Sequence, residues 1–349
     1  MRKLLMIGLV LISIAAMILI GCERKIVNES GGSLAADATQ CFSCHSDQDL
    51  DLTAAEEQWK GSQHASGDNI DRNSYNAPYY GACEKCHTNE GFLTNTVGVD
   101  EEYTDFTAIG CFTCHEPHTK GNLGVRVTDA VALMDGTSYD KGNSNICASC
   151  HQSRQDIREI TGDVTLSLRW GPHHSNHADM LAGSNAYEYS GYDYDNSAHT
   201  NATIDGCVDC HMSASADYTL GGHSWGMYDE EKEHYNLTGC NTENCHNNGL
   251  SDFAYDVDDL DGDGDSDEGV QMEVKGLLDE LEDILETAGL LENQHPTDVT
   301  VSADSAGAVF NWLFVYEDRS LGVHNTEYAL DLLKSSINFM NTGNPNGSK

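Results

Sequence analysis

Six times in this chain a pair of cysteines is followed at once by a histidine. Five copies leave two residues between the cysteines: Cys41-Phe-Ser-Cys44-His45, Cys83-Glu-Lys-Cys86-His87, Cys111-Phe-Thr-Cys114-His115, Cys147-Ala-Ser-Cys150-His151 and Cys207-Val-Asp-Cys210-His211. The sixth leaves four, Cys240-Asn-Thr-Glu-Asn-Cys245-His246. Two thiols and an imidazole are thus confined to one short turn. That triplet is the attachment signature of c-type haem, in which the thiols add to the two porphyrin vinyl groups and the histidine reaches the iron from the proximal side. The predicted cofactor content is six haem c. Other uses of cysteine fit the pattern less well. Disulfides do not place a histidine after every second cysteine. Zinc ribbons need two cysteine pairs per metal and no adjoining histidine. Only for the stretched Cys240/Cys245 site does a local disulfide stay open as an alternative.

The thirteenth cysteine, Cys22, stands apart from the motifs. Arg2 and Lys3 precede an apolar run from Leu4 to Ile20, and Gly21-Cys22 closes it, the pattern of an export leader. The small residue just before the cysteine favours cleavage at Cys22 and lipidation of its thiol, with an uncleaved membrane helix as the alternative. Residue 23 is glutamate rather than aspartate, which favours the outer membrane and leaves the leaflet open. The expected organisation is a leader over 1–21, a flexible tether over 22–40, a haem-bearing region over 41–250 and a C-terminal region over 251–349. The expected location is that of an exported bacterial lipoprotein, periplasmic or at the cell surface.

A formal charge of −39 excludes nucleic acid as a natural partner, because phosphate binding needs the opposite sign. The charge accounts for solubility more readily than for any one site. Aromatic residues make up 8% of the chain and glycines number 33, so a conventional side-chain core looks thin. Porphyrin plates would fill that interior, and a haem-free chain is expected not to fold stably. The gaps between motifs are uneven and no segment alternates as a sustained strand would. The fold class expected is mainly α with extensive irregular loops, organised around haems, with a helical C-terminal region. Apolar residues return at helical spacing over 270–286, residues 303–317 are nearly all apolar from Ala306 to Tyr316 and suggest a buried helix, and a third helix is predicted over 327–340, capped by Asn325 or Thr326. The cluster Tyr187, Tyr189, Tyr192 and Tyr194 reads as a loop packed on a haem edge.

Asp259, Asp261, Asp263, Gly264, Asp265 and Asp267 match the first nine positions of an EF-hand calcium loop. The match breaks where Val270 replaces the closing glutamate, for which Glu268 or Glu273 could substitute only with altered geometry. The alternative is a solvated acidic linker.

Ten of the sixteen histidines are not motif histidines. His64, His118, His173 or His174, His199, His223 and His324 stand in contexts suited to closing the far side of a haem, giving six candidates for six irons. His177, His234 and His295 have weaker contexts and are expected not to be ligands. Arg154, Arg158 and Arg169 could bind an anion beside an open haem, although pairing with haem propionates is the simpler role.

The segments Cys111-Phe-Thr-Cys114-His115-Glu-Pro-His118, Gly221-Gly-His223 and Gly322-Val-His324-Asn325-x-x-Tyr328-Ala329 resemble parts of the multihaem superfamily that contains ammonia-forming nitrite reductase and hydroxylamine oxidoreductase. The resemblance implies closely stacked haems in a helical, loop-rich fold. The nitrite reductases typically have a lysine after the second cysteine of the catalytic motif, whereas every motif here ends in histidine. A lysine-ligated catalytic haem is therefore not indicated. The expectation is electron transfer to other redox proteins or an external acceptor. The alternative is an oxidoreductase of small nitrogen or sulfur compounds with one open haem.

Overall fold

Among the described residues four helices exceed two turns: α1 (Leu50–Lys60), α2 (Val270–Thr287), α3 (Ala303–Asp318) and α4 (Thr326–Thr342). The computed structural model describes residues 50–66, 83–100, 103, 106–116, 123–255, 259–265 and 267–347. They belong to one compact unit, Ala36–Lys349. Cys22, Cys41, Cys44, His45 and His118 lie outside the described residues, as do the expected leader and tether.

The three C-terminal helices follow from their apolar spacing. On α2, Val270, Val274, Leu277, Leu278, Leu281 and Leu285 form one buried stripe. Helix α3 is buried continuously from Ala306 to Val315, in keeping with a run that is apolar apart from Asn311. Ser302 caps it by accepting a hydrogen bond from Ser305 N. Helix α4 buries Tyr328, Ala329, Leu330, Leu332, Leu333 and Ile337. It ends at Gly343, whose positive φ of 73° lets its N–H return to Phe339 O. Asn325 occupies the cap position of α4 without capping it. Its Oδ1 accepts from Ser197 N, and its Nδ2 donates to Met180 O and Asn196 Oδ1. A neighbouring loop has taken the side chain that the helix end was expected to use.

These helices pack on one another around Phe310, Trp312, Phe314 and Tyr328, all fully buried. Burying each such side chain contributes about 1.5–3 kcal/mol. Trp312 Nε1 donates to Leu278 O (3.1 Å), and Asn311 Nδ2 donates to Ser336 Oγ (3.0 Å), so the buried polar groups are satisfied across helices. The thin core expected from composition is thus corrected. An ordinary core exists, drawn mainly from the C-terminal helices because the apolar residues are concentrated there. The interior around the cysteine motifs is sparser, with Leu133, Tyr139, Ala148, Ala178 and Leu181 as its buried cluster.

Several links fasten the motif-bearing region to the helices. Strand β1 (Asp163–Thr165) pairs antiparallel with β2 (Thr300–Ser302), Val164 opposite Val301. Asn176 Nδ2 donates to Phe314 O at 3.0 Å. The tyrosine cluster is a third link, since it packs on the C-terminal helices. Tyr187 Oη donates to Asp304, Tyr189 stacks on Phe339, Tyr192 reaches Asp331 and Tyr194 reaches Ser335. Strands are confined to two-stranded ribbons of two or three residues among the described residues. No helix among the described residues is long and apolar enough to cross a membrane.

Candidate metal centres

Each described cysteine motif is wound into a tight turn. The histidine N–H closes on the carbonyl of the first cysteine: His87 to Cys83 (3.1 Å), His115 to Cys111 (2.9 Å) and His151 to Cys147 (2.9 Å). Cys207–His211 is a helical turn of the same kind. The stretched motif makes the same closure, His246 N to Cys240 O at 3.1 Å, and accommodates its two extra residues as a wider loop. All these turns therefore present an imidazole beside two thiols. No disulfide joins the described cysteines.

From these turns the motif histidines face histidines brought from elsewhere in the chain. Ring centroids are 6.0 Å apart for His151 and His64, 6.1 Å for His115 and His223, 6.1 Å for His211 and His324, 6.1 Å for His246 and His199, and 6.3 Å for His87 and His173. Every pair joins one motif histidine to one of the expected distal candidates. With a metal–nitrogen bond of about 2 Å on each side, two imidazoles sharing one metal place their centroids roughly 6 Å apart. The donor set suits a haem iron: two imidazoles per site, with a pair of thiols in the same turn.

His173 and His174 point to different partners. His173 adopts a left-handed backbone conformation (φ 72°) and faces His87. His174 is turned outward, its side chain 63% exposed, with Nδ1 2.8 Å from Glu317.

Hydrogen bonds at Nδ1 orient several rings. His199 Nδ1 lies 2.6 Å from Val323 O and His211 Nδ1 lies 3.0 Å from Trp225 O. A ring held at Nδ1 keeps Nε2 as its remaining ligand atom. Burial holds His64, His151, His211, His223 and His246 below the usual imidazole range, so their lone pairs are available. Burial also lowers His87 and His173, the latter to about 3, with the Arg154 charge adding to the effect. His324 departs from this pattern. Burial opposes its charge, but the Asp318 carboxylate, 2.7 Å from Nδ1 and fully buried, outweighs burial and raises it.

Two residues at the centre carried no clear sequence signal. Trp225 lies 4.5 Å from the His64 ring and 5.8 Å from that of His223, and its carbonyl faces His211. It therefore touches three of the five pairs. His177, expected to be a bystander, lies nearly parallel to His151 at 5.2 Å, and 5.5 Å from His324. It stands beside two pairs, closer to the His151 ring than any pair spacing. His234 lies away from the cluster, near Asp217, and His295 is exposed.

Thiols of different motifs also come together: Cys86 lies beside Cys150, Cys147 beside Cys207, and Cys210 beside Cys240. The turns 83–87, 147–151, 207–211 and 240–246 thus form a contiguous run. Arg158 is occupied by Asp156 and by the Asp135 carbonyl. The acidic loop lies at the head of α2, where Asp259, Asp261 and Glu273 draw together, as do Asp261, Asp263 and Glu268. Asp265 and Asp267 belong to neither group.

No protein-family model matches the chain, and no curated protein does. Among solved structures the chain is similar to one described as the crystal structure of the outer cell wall cytochrome OcwA, with 21% identity and a TM-score of 0.49. The match covers 82% of this chain and 50% of that one, so the chain spans half the length of the protein it resembles.

Proposed function

We propose that the chain is a hexahaem c-type cytochrome that transfers electrons, with its irons closed on both sides by histidine. The observation that carries this reading is the set of five motif–distal imidazole pairs with centroids 6.0–6.3 Å apart. His45 and His118 are assigned to the sixth iron as the remaining motif histidine and distal candidate. When bound, each haem supplies one reversible electron-accepting iron. The paired histidines would hold each iron from two sides, which would leave no coordination site for a substrate. Bis-histidine ligation, without methionine, favours low potentials. The run of touching motif turns supports short steps between neighbouring sites. Lipidation at Cys22 would tether the molecule at an exported membrane face, where it would exchange electrons with other redox proteins or an external acceptor.

The test is electron paramagnetic resonance of the oxidised holoprotein, with haem quantified by pyridine haemochrome. Six haems per chain and low-spin signals only are expected. A high-spin haem that shifts on addition of nitrite or hydroxylamine would overturn the reading in favour of an oxidoreductase with an open iron.

A further inference from the structure

We infer that the acidic loop and the start of α2 form a binding site for one calcium-class divalent cation, closed by Glu273 rather than by the residue an EF-hand would use. In an EF-hand the twelfth loop position supplies a bidentate glutamate. Here that position is Val270, which is committed to the core of the C-terminal helices. The closing carboxylate comes instead from three residues further along α2. Glu273 is fully buried, and its Oε2 accepts from Leu260 N (2.7 Å) and Asp261 N (2.8 Å), which clamps the loop against the helix.

Its other oxygen carries the argument. Glu273 Oε1 is buried and has no hydrogen-bond partner. A buried carboxylate oxygen left unpaired is unfavourable unless a cation compensates it. Lys275, on the same helix, pairs with Asp279 instead. No lysine or arginine forms an ion pair with Asp259, Asp263, Glu268 or Glu273 among the described residues.

The surrounding oxygens fit such a cation. Ligand atoms of Asp259, Asp261 and Glu273 all lie within 4.8 Å of one another, and so do those of Asp261, Asp263 and Glu268. Oxygens bound to one calcium at about 2.4 Å can be no more than about 4.8 Å apart. Both groups share Asp261, so one ion beside it can draw on the two. Gly276 permits this approach, because a Cβ there would collide with the Asp261 carboxylate. The donors are all oxygen, which suits a hard cation and not a thiophilic metal.

The test uses the chelator-stripped holoprotein, titrated with calcium chloride and separately with magnesium chloride by calorimetry, with thermal melting in parallel. Expected are one saturable calcium per chain, a melting midpoint that rises with calcium, and at least tenfold weaker magnesium binding. Glu273→Gln and Asp261→Asn should each weaken calcium binding at least tenfold. Asp259→Asn lies on the exposed loop and serves as the variant least able to disturb folding, checked by an unchanged haem spectrum. Absence of saturable uptake at millimolar calcium, equal uptake of magnesium, or unchanged affinity in Asp259→Asn and Asp261→Asn would overturn the site. Haem spin state reports separately on the electron-transfer reading.

Discussion

The backbone angle at His173 decides which of two adjacent histidines faces His87. Its left-handed turn aims the ring at His87, while His174 is sent outward to Glu317. His173→Ala should therefore convert one haem of the set to a high-spin, exogenous-ligand-binding form, visible by paramagnetic resonance. His174→Ala should leave every haem low-spin. The reverse pattern would reassign the ligand. Nothing in the doublet of adjacent histidines distinguishes them as sequence. The tight cysteine–histidine turns were readable because each lies within five to seven consecutive residues. The pairing of His64 with His151, or of His211 with His324, was not, because it depends on how distant segments come together. Trp225 was missed for the same reason, since its contacts with three histidine pairs are purely tertiary.

At the scale of elements, α2, α3 and α4 were visible as apolar periodicity, and their observed limits differ from the expected ones by a few residues. Their side-chain detail was less visible, because Asn325 and the tyrosine cluster answer to partners on other segments. The short helix His177–Ala182 shows what periodicity cannot reveal. An aspartate on so short a helix reads as a solvated residue, yet Asp179 is buried, accepting from Ser153 N (2.7 Å) and Asn185 Nδ2 (3.0 Å). Burial outweighs these bonds and raises its carboxyl to about 6. A carboxyl whose folded value lies above its unfolded one binds its proton more tightly when folded. Its contribution is therefore fully present below the ordinary value of 3.8 and is lost as pH rises through about 6. The wild-type protein should gain on the order of 2–3 kcal/mol from this group between pH 7 and pH 4. Denaturant midpoints across that range should show a flatter dependence in Asp179→Asn, and parallel curves for the two proteins would contradict the assignment.

For the molecule as a whole, the interior is of two kinds. The C-terminal helices carry a conventional apolar core, whereas the region of cysteine turns has few buried apolar side chains of its own. Chain produced without haem attachment should then lose its structure unevenly. Hydrogen exchange read by mass spectrometry should find protected amides in α2, α3 and α4 and rapid exchange across 83–151. Equal protection in both regions would refute the division. The pairing of histidines has a further consequence, for the order in which the molecule can be completed during synthesis. A pair can close only after its later member has been made. His151 follows its partner His64, so that centre is the first of the five described that can close. The centres of His87, His115 and His246 become possible in turn, with His173, His223 and His246 itself. The centre at His211 must wait for His324, at the joint between α3 and α4. The last of these pairs to close is thus the one whose second member follows α3 in the chain.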